Sequence, residues 1–499
     1  MASDFLAHLK TLEEHQVHAR CKELQDEVPR HLESCDVVLQ AQIIDAFIQK
    51  TIIKASESEA KNMFKILLPP AIRACDSAFE ALQAWDNVQE VLKLIWTPIH
   101  ILGCISACCL HAQDKEWTSS SLMTDLLQYA FHSLKATYSH CQDSSRMYGS
   151  VLESVNEPLT QLFRAATTLQ AHLHQLCSSL ATSDGLTEDD MALLTSVCDD
   201  LAVTGRLLTR LDARAMAEAW KCYLRLLQLL PERLPASADL PRALTFMAGE
   251  VTDRLAEIRQ TAADKASGGD QSRPLSKALK MCGFYLKLAV GLSESYTAQA
   301  RGAFGVLTEL AFTLTRYSAP DAHVNDLDPA VLSQLSSQLT VAAEPLLFSM
   351  MEDQAYPEPF WEALDASEAL GPLCRLRCCL ALARRCCHLP EASRGVWTAG
   401  ADRRHLVAAA LDLLPRCDVE LACGAPVESD IHNRPRVSLY EHTLVSVCAL
   451  VGSLTAPELR ATETHLWRHL CQSGVWGALL AADVLCFIAR LVLSVCLEC

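Results

Sequence analysis

From Leu126 to Leu173 the chain reads LLQYAFHSLKATYSHCQDSSRMYGSVLESVNEPLTQLFRAATTLQAHL, and the same pattern runs on to Leu180. Apolar residues return there at i, i+3, i+4 and i+7, which gives a helix one buried stripe, whereas a half-buried strand would need strict alternation. The spacing recurs at Ile43, Phe47, Ile48 and Ile52, and again at Phe64, Leu67, Leu68, Ile72, Cys75, Phe79 and Leu82. Ala217–Leu230, Leu240–Arg259, Leu275–Tyr317 and Leu439–Leu454 repeat it, and period-two runs are almost absent. No other property of the chain restricts its fold so strongly.

Helices of this kind can hide their stripes only against one another. The expected fold class is therefore all-α: an irregular helical-repeat (HEAT/armadillo-like) α-solenoid of antiparallel helices. Leu and Ala predominate, and only 6% of residues are aromatic, which suits helix-on-helix packing. One compact core seldom grows beyond roughly 250–300 residues. A chain of 499 residues thus implies several domains or a core extended in one dimension. No tetratricopeptide or ankyrin consensus is present.

Breakers punctuate the pattern. Pro69–Pro70 is expected to split one helix into two, and turns are expected at Ser183–Asp190, Pro231–Pro241, Ser318–Pro329, Asp353–Pro359, Leu389–Asp402 and Cys423–Pro435. The polar SGGDQSRP at Ser267–Pro274 reads as a linker. It divides an N-terminal helical array, 1–265, from a second array, 275–499, which is separate or stacked continuously on the first. Ser56 with Glu59 and Thr455 with Glu458 have the spacing of capping boxes.

The formal net charge is −17. That balance opposes non-specific attachment to a phosphate backbone, and no direct sequence-specific nucleic-acid contact is expected. A local exception is Gly371–Arg404, where Arg375, Arg377, Arg384, Arg385, Arg394, Arg403 and Arg404 face only Glu391 and Asp402. A solvated helical face with a loop is expected there; the alternative is a docking surface for an acidic partner. Cysteines number 23, and the adjacent pairs Cys108–Cys109, Cys378–Cys379 and Cys386–Cys387 lie inside helical patterns. Reduced thiols packing as small apolar groups are expected, not a disulfide framework. The N-terminal MASDFLAHLKTLEEHQVHARCKEL fits neither a secretory signal nor a transit peptide. The uncharged LIWTPIHILGCISACCLHAQ, Leu94–Gln113, has nearly the length of a membrane span, yet Thr97, Pro98, His100, Ser106, His111 and Gln113 suit lipid poorly. It is expected inside the helical stack, broken or kinked at Pro98, with no membrane contact.

Signatures of catalysis are missing. There is no GxxxxGK[ST] and no GxSxG, so no catalytic, cofactor-binding or metal-ligating residue is expected and the chain is expected not to be an enzyme. His465 and His469 stand i, i+4 without the Glu of a zinc peptidase and read as helix-surface histidines. Cys374, Cys378, Cys379, Cys386, Cys387 and His388 lack paired CxxC knuckles and read as buried thiols; Cys496 and Cys499 form a CxxC without a partner pair. Arg436-Val437-Ser438-Leu439 has the start of a phosphatase-docking RVxF motif but reads better as the start of a helix. Ser119–Ser121 and Ser144–Ser145 read as helix-capping serines.

Several segments, taken in order, resemble a known family. YSHCQDSSRMYGSVLESVNEPLTQLF, then Glu218-Ala219-Trp220-Lys221, Lys277 to Phe284 (KALKMCGF), Val437 to His442 (VSLYEH) and Trp476–Leu491 (WGALLAADVLCFIARL) look like the regulators of recombination and mitosis that interact with a fidgetin-like ATPase, the FIRRM family. The resemblance implies a non-enzymatic helical scaffold that binds a fidgetin-like AAA ATPase. It also implies a role in removing strand-exchange recombinase from chromatin during homologous recombination and crosslink repair, and in chromosome segregation. Strand-exchange recombinase, polo-like kinase and protein phosphatase 1 are the further partners it implies. The implied location is the nucleus and chromosome, with kinetochore and midbody in mitosis. Members of that family are longer at the C-terminus, so a C-terminally shortened form is expected. Without the resemblance, a helical-repeat cargo or trafficking adaptor is the alternative.

Overall fold

The computed structural model describes residues 2–498 except 14–15, 17–20, 53–54, 118–119, 184, 231–237, 265–271, 319–328, 399–403, 424–425, 428–436 and 473. Contacts divide the chain into two units, Met1–Asp239 and Leu240–Cys499. Composition places the expected boundary later, at residues 265–275, and most of that polar stretch falls outside the described residues. The helices on either side of it pack against each other within the second unit.

The first unit begins with α1 (Ala2–Thr11), α2 (Cys21–Leu32), α3 (Val37–Thr51), α4 (Glu57–Gln83) and α5 (Val88–Leu94). It continues with α6 (Trp96–Asp114), α7 (Ser120–Tyr148), α8 (Leu152–Ala181), α9 (Glu188–Leu208) and α10 (Ala213–Leu229). Each long helix rests mainly on those one to three places away in the chain: α3 on α6, α6 on α8, α7 on α8 and α9, α9 on α10. That neighbour-to-neighbour packing is what a helical-repeat, solenoid-like fold produces.

The second unit holds α11 (Leu240–Asp264), α12 (Ser272–Ser295), α13 (Phe304–Ser318), α14 (Pro329–Met350), α15 (Pro357–Ala366) and α16 (Pro372–Cys386). There follow α17 (Glu391–Thr398), α18 (Leu406–Leu413), α19 (Asp418–Cys423), α20 (Leu439–Gly452), α21 (Ala456–Gln472) and α22 (Val475–Glu498). Pairing again runs between near neighbours, α11 with α12, α13 with α14, and α21 with α22. Pro426–Val427 and Val437–Ser438 form a two-residue antiparallel pair, β1 and β2, the only sheet among the described residues. The all-α expectation holds.

Two expectations about proline need correction. Pro69 and Pro70 lie inside the single helix α4 and do not divide it. Each removes a backbone donor at a cost of about 3 kcal/mol. Met63, Phe64, Leu67 and Leu68 before them and Ala71, Ile72, Cys75 and Phe79 after them are all buried on one stripe. At about 1.5–3 kcal/mol for each large apolar side chain, that burial outweighs the two lost bonds. The uncharged segment is interrupted at Ile95, between α5 and α6, and not at Pro98. Pro98 sits in the first turn of α6, where its missing N–H has no helical acceptor to lose.

The stretch Val88–Asp114 is long and apolar enough to cross a membrane by length and composition. In the fold its apolar side chains meet α3, α4, α7 and α8, and Ile101, Leu102, Ile105, Cys108 and Cys109 are fully buried.

Candidate functional site

Polar side chains gather most densely in the second unit, around the arginine-rich segment. Arg394 on α17 and Glu458 on α21 meet inside the protein, with side chains 9% and 5% exposed. Arg394 Nε donates to Glu458 Oε1 at 3.1 Å and Nη2 donates to Oε2 at 3.1 Å. Thr398 Oγ1 donates to Oε1 at 2.8 Å, while the Thr455 amide and hydroxyl donate to Oε2 at 2.8 and 2.7 Å. Burial alone would raise the Glu458 carboxyl, but these donors, Arg394 foremost, reverse that and hold it at about 2. The Thr455–Glu458 spacing that announces a helix start is thus the anchor of a buried ion pair.

One turn along α21, Thr462 Oγ1 stands 3.3 Å from His405 Nε2 and donates to the Glu458 carbonyl. His405 Nδ1 accepts from the Val407 amide, so His405 caps the N-terminus of α18. Accepting at Nδ1 fixes the neutral ring's proton on Nε2, facing Thr462. Burial, reinforced by the neighbouring His465, lowers the His405 pKa to about 4. The two imidazole centroids lie 4.8 Å apart.

These distances revise several expectations. His465 is not on the surface: it is 1% exposed, and Arg468 Nη1 approaches its Nδ1 at 3.3 Å. His469 Nε2 lies 3.5 Å from Asp412. Four of the arginines are ion-paired, and of these Arg384, Arg385 and Arg404 keep a solvent-facing side while Arg394 is buried. Arg384 binds Glu344 at 2.6 Å and His442 at 2.8 Å, and Arg404 pairs with Glu358. Arg385 lies 3.5 Å from Glu352 and over the Phe348 ring, and Arg375 is buried. Arg403 falls outside the described residues. The segment ties α14, α15, α16, α17, α20 and α21 together.

Four of the five thiols take their expected packing role, while Cys387 is half-buried and His388 is exposed. Cys374, Cys378, Cys379 and Cys386 are buried, with Cys374 Sγ 3.0 Å from the Phe312 carbonyl and Cys378 Sγ 3.4 Å from Thr315 Oγ1. Burial pushes Cys379 and Cys386 well up, which keeps them protonated. Among the described residues no group of three or more His, Cys, Asp or Glu is arranged to hold a metal ion. The side chains of Cys496 and Cys499 fall outside the described residues.

Ser438 caps α20 through Glu441, Val437 pairs with Val427, and Leu439 is buried. The RVSL stretch therefore starts a helix, as its sequence suggests, and Arg436 falls outside the described residues. Ser144 lies within α7 and returns its hydroxyl to the Cys141 carbonyl, so it is not a cap. Ser119 also falls outside the described residues, as do the side chains of Ser120 and Ser121. His405 escaped the sequence reading, because a lone histidine before LVAAALDL carries no signal until residues some 60 positions away are folded onto it.

The segments that carry the family resemblance are largely packing positions. Ala219 and Trp220 on α10 are fully buried, and a Cβ at Gly205 on α9 would lie 2.7 Å from the Trp220 ring. Ala278, Leu279, Met281 and Cys282 on α12 are buried, as are Leu480, Ala481 and Val484 on α22. Fold and buried clusters together define a class, an all-α helical-repeat protein whose polar interior braces neighbouring helices.

Within that class the relationship is specific. Residues 250–496, which lie inside the second unit, match the model of a domain of unknown function, DUF4487. The FIGNL1-interacting regulator of recombination and mitosis of Danio rerio is 25% identical over 456 residues, covering 86% of this chain and 50% of that protein. Its namesake in Rattus norvegicus is 20% identical over 449 residues, with the same coverages. The Homo sapiens protein is 22% identical over 465 residues, covering 86% and 53%. The chain is similar to these FIGNL1-interacting regulators over most of its length, and it spans about half the length of the curated relatives it matches. A crystal structure of SYS-1 aligns over 97% of this chain and 98% of that one, but at 10% identity and a TM-score of 0.23 this likeness carries no argument.

Proposed function

We propose that this chain is a non-enzymatic helical scaffold that binds a fidgetin-like AAA ATPase and through it regulates homologous recombination and mitotic chromosome segregation. Similarity over 86% of the chain to four proteins named as FIGNL1-interacting regulators of recombination and mitosis carries the reading. The buried clusters support it: their charged groups are spent on one another, leaving helix faces as the working surface. In this reading the protein acts on chromosomes in the nucleus and helps clear strand-exchange recombinase after crosslink damage. In mitosis it works at kinetochore and midbody, with polo-like kinase and protein phosphatase 1 as further partners. Buried Leu439 makes the RVSL stretch a poor phosphatase dock, so that contact is assigned to another segment.

The test is co-purification of the tagged chain with the fidgetin-like ATPase from cells, together with recombinase foci after crosslink damage. Recovery of the ATPase, and excess foci and a lowered ATPase level in cells lacking the protein, are expected. Absence of the ATPase from the purified material, with normal foci, would remove the assignment and leave the fold untouched.

A further inference from the structure

In the second unit α22 rests on α20 and α21, and Leu480, Ala481, Val484 and Ile488 are buried on that side. Its opposite face carries Val475, Leu479, Ala482, Cys486 and Ala489. Val475 is 80% exposed and Leu479 43%, Cys486 and Ala489 are exposed, and Ala482 is half-buried. The outer face of a surface helix is normally polar. This one has no charge along its centre, and its spacing of four, three, four and three residues is the a/d seam of a coiled coil.

The edges of the seam select the occupant. Asp483 follows Ala482 and Arg490 follows Ala489, so the two ions stand in line on one edge, about two turns apart. Asp483 accepts from the Tyr440 hydroxyl at 2.6 Å, which leaves its charge unmatched. Neither ion has an ion-pair partner among the described residues. The other edge carries Ala478 and Leu485, both apolar and half-buried. Opposite charges in line on one edge are complementary to a reversed copy of themselves. When two such helices run antiparallel, like edges meet: Asp483 of each copy faces Arg490 of the other, and apolar edge meets apolar edge. A parallel pair would set the charged edge against the apolar one and leave every ion unmet.

The geometry points to a self-association site, in which a second copy of this chain docks α22 against α22, antiparallel about a two-fold axis. A two-fold interface must be self-complementary, and this charged edge meets that condition. The register that joins Asp483 to Arg490 layers Cys486 against Ala489 of the other copy, and these small side chains let the helices approach closely. Exposed apolar area holds the pair, while the ion pairs, worth little in affinity, fix direction and register. The site does not depend on the ATPase assignment.

Sedimentation velocity of the full chain under reducing conditions, between about 1 and 50 µM, tests it. A reversible monomer–dimer equilibrium with a Kd in about the micromolar range is expected. Arg490→Glu sets like charges together twice and should weaken the dimer about tenfold. Asp483→Lys with Arg490→Glu exchanges the signs and should return the affinity to within about threefold of the unaltered chain. Leu479→Asp, in the seam, should weaken it by about tenfold or more, and Glu362→Lys, an exposed acid elsewhere in the unit, by less than about twofold. Circular dichroism checks each fold; Arg490 and Leu479 are surface positions, so their variants decide the matter without the double one. A monomer at every concentration, a dimer indifferent to Arg490→Glu or Leu479→Asp, or a folded double variant that does not recover would overturn the site. Monomers that sediment with phosphatidylcholine vesicles would overturn it too, and would assign the seam to lipid.

Discussion

Removing the guanidinium from Arg394 leaves the Glu458 carboxylate inside the second unit with only neutral donors to meet it. Breaking a buried pair from one side costs about 3–5 kcal/mol, so Arg394→Met should lower the urea midpoint sharply. Replacing both members with apolar residues should recover part of the loss, and a double variant as unstable as the single one would show that the pair is not the cause. Glu458 also sets an acid limit. Its pKa is about 2 in the fold and near 4.3 in a free chain, so its contribution is complete above the free value and fades as pH falls toward 2. His405 acts in a higher window, because its pKa falls from 6.5 to about 4 on folding. The unfolded chain then binds the extra proton first, and stability declines as pH drops from 6.5 toward 4. Asn is a strong N-cap and does not titrate, so His405→Asn should keep the cap and flatten the dependence of Tm on pH in that window. An unchanged slope would assign the acid sensitivity to other buried imidazoles such as His140, also lowered to about 4 by burial.

At the scale of the helix, period and caps were legible and proline was not. The stripes of α4 and α8 are local, repeated every turn, and need nothing distant to be read. Ser56 and Glu59 form the expected capping box, and Thr187 and Asp190 form another. Pro69–Pro70 misled because a breaker's local penalty was visible while the burial that overrides it comes from other helices. The buried network was half legible for a related reason. Thr455–Glu458 spacing shows a cap, but nothing in the sequence brings Arg394 to it from 64 positions away. Helix-to-helix distance yields a further prediction. At Gly205 a Cβ would strike the Trp220 ring at 2.7 Å, whereas at Gly249 on α11 it would meet nothing within 4 Å. Gly205→Ala should therefore destabilise by about 1–3 kcal/mol through overpacking. Gly249→Ala, inside an exposed helical turn, should stabilise by up to about 1 kcal/mol. Opposite signs in denaturant midpoints confirm the close approach of α9 and α10; stabilisation at both positions would show that the two helices lie further apart.

For the molecule as a whole, the charge balance bears on the proposed chromosomal role. Attachment to duplex DNA draws most of its strength from cations that displace counterions. This chain carries 43 Lys and Arg against 60 Asp and Glu, and the arginines of its basic segment are turned toward Glu344, Glu352, Glu358 and Glu458. Those four arginines could meet a phosphate backbone only by giving up contacts with neighbouring helices. Recruitment through a bound protein is the arrangement these charges favour. The purified chain should therefore show only weak retardation of duplex DNA at about 50 mM salt and none near 200 mM, because even a few phosphate contacts lose affinity steeply over that range. Adding the fidgetin-like ATPase should bring the chain onto DNA at the higher salt if recruitment is indirect. Salt-resistant binding by the chain alone would mean that one surface concentrates positive charge despite the balance, and would transfer the chromosome contact from the partner to this protein.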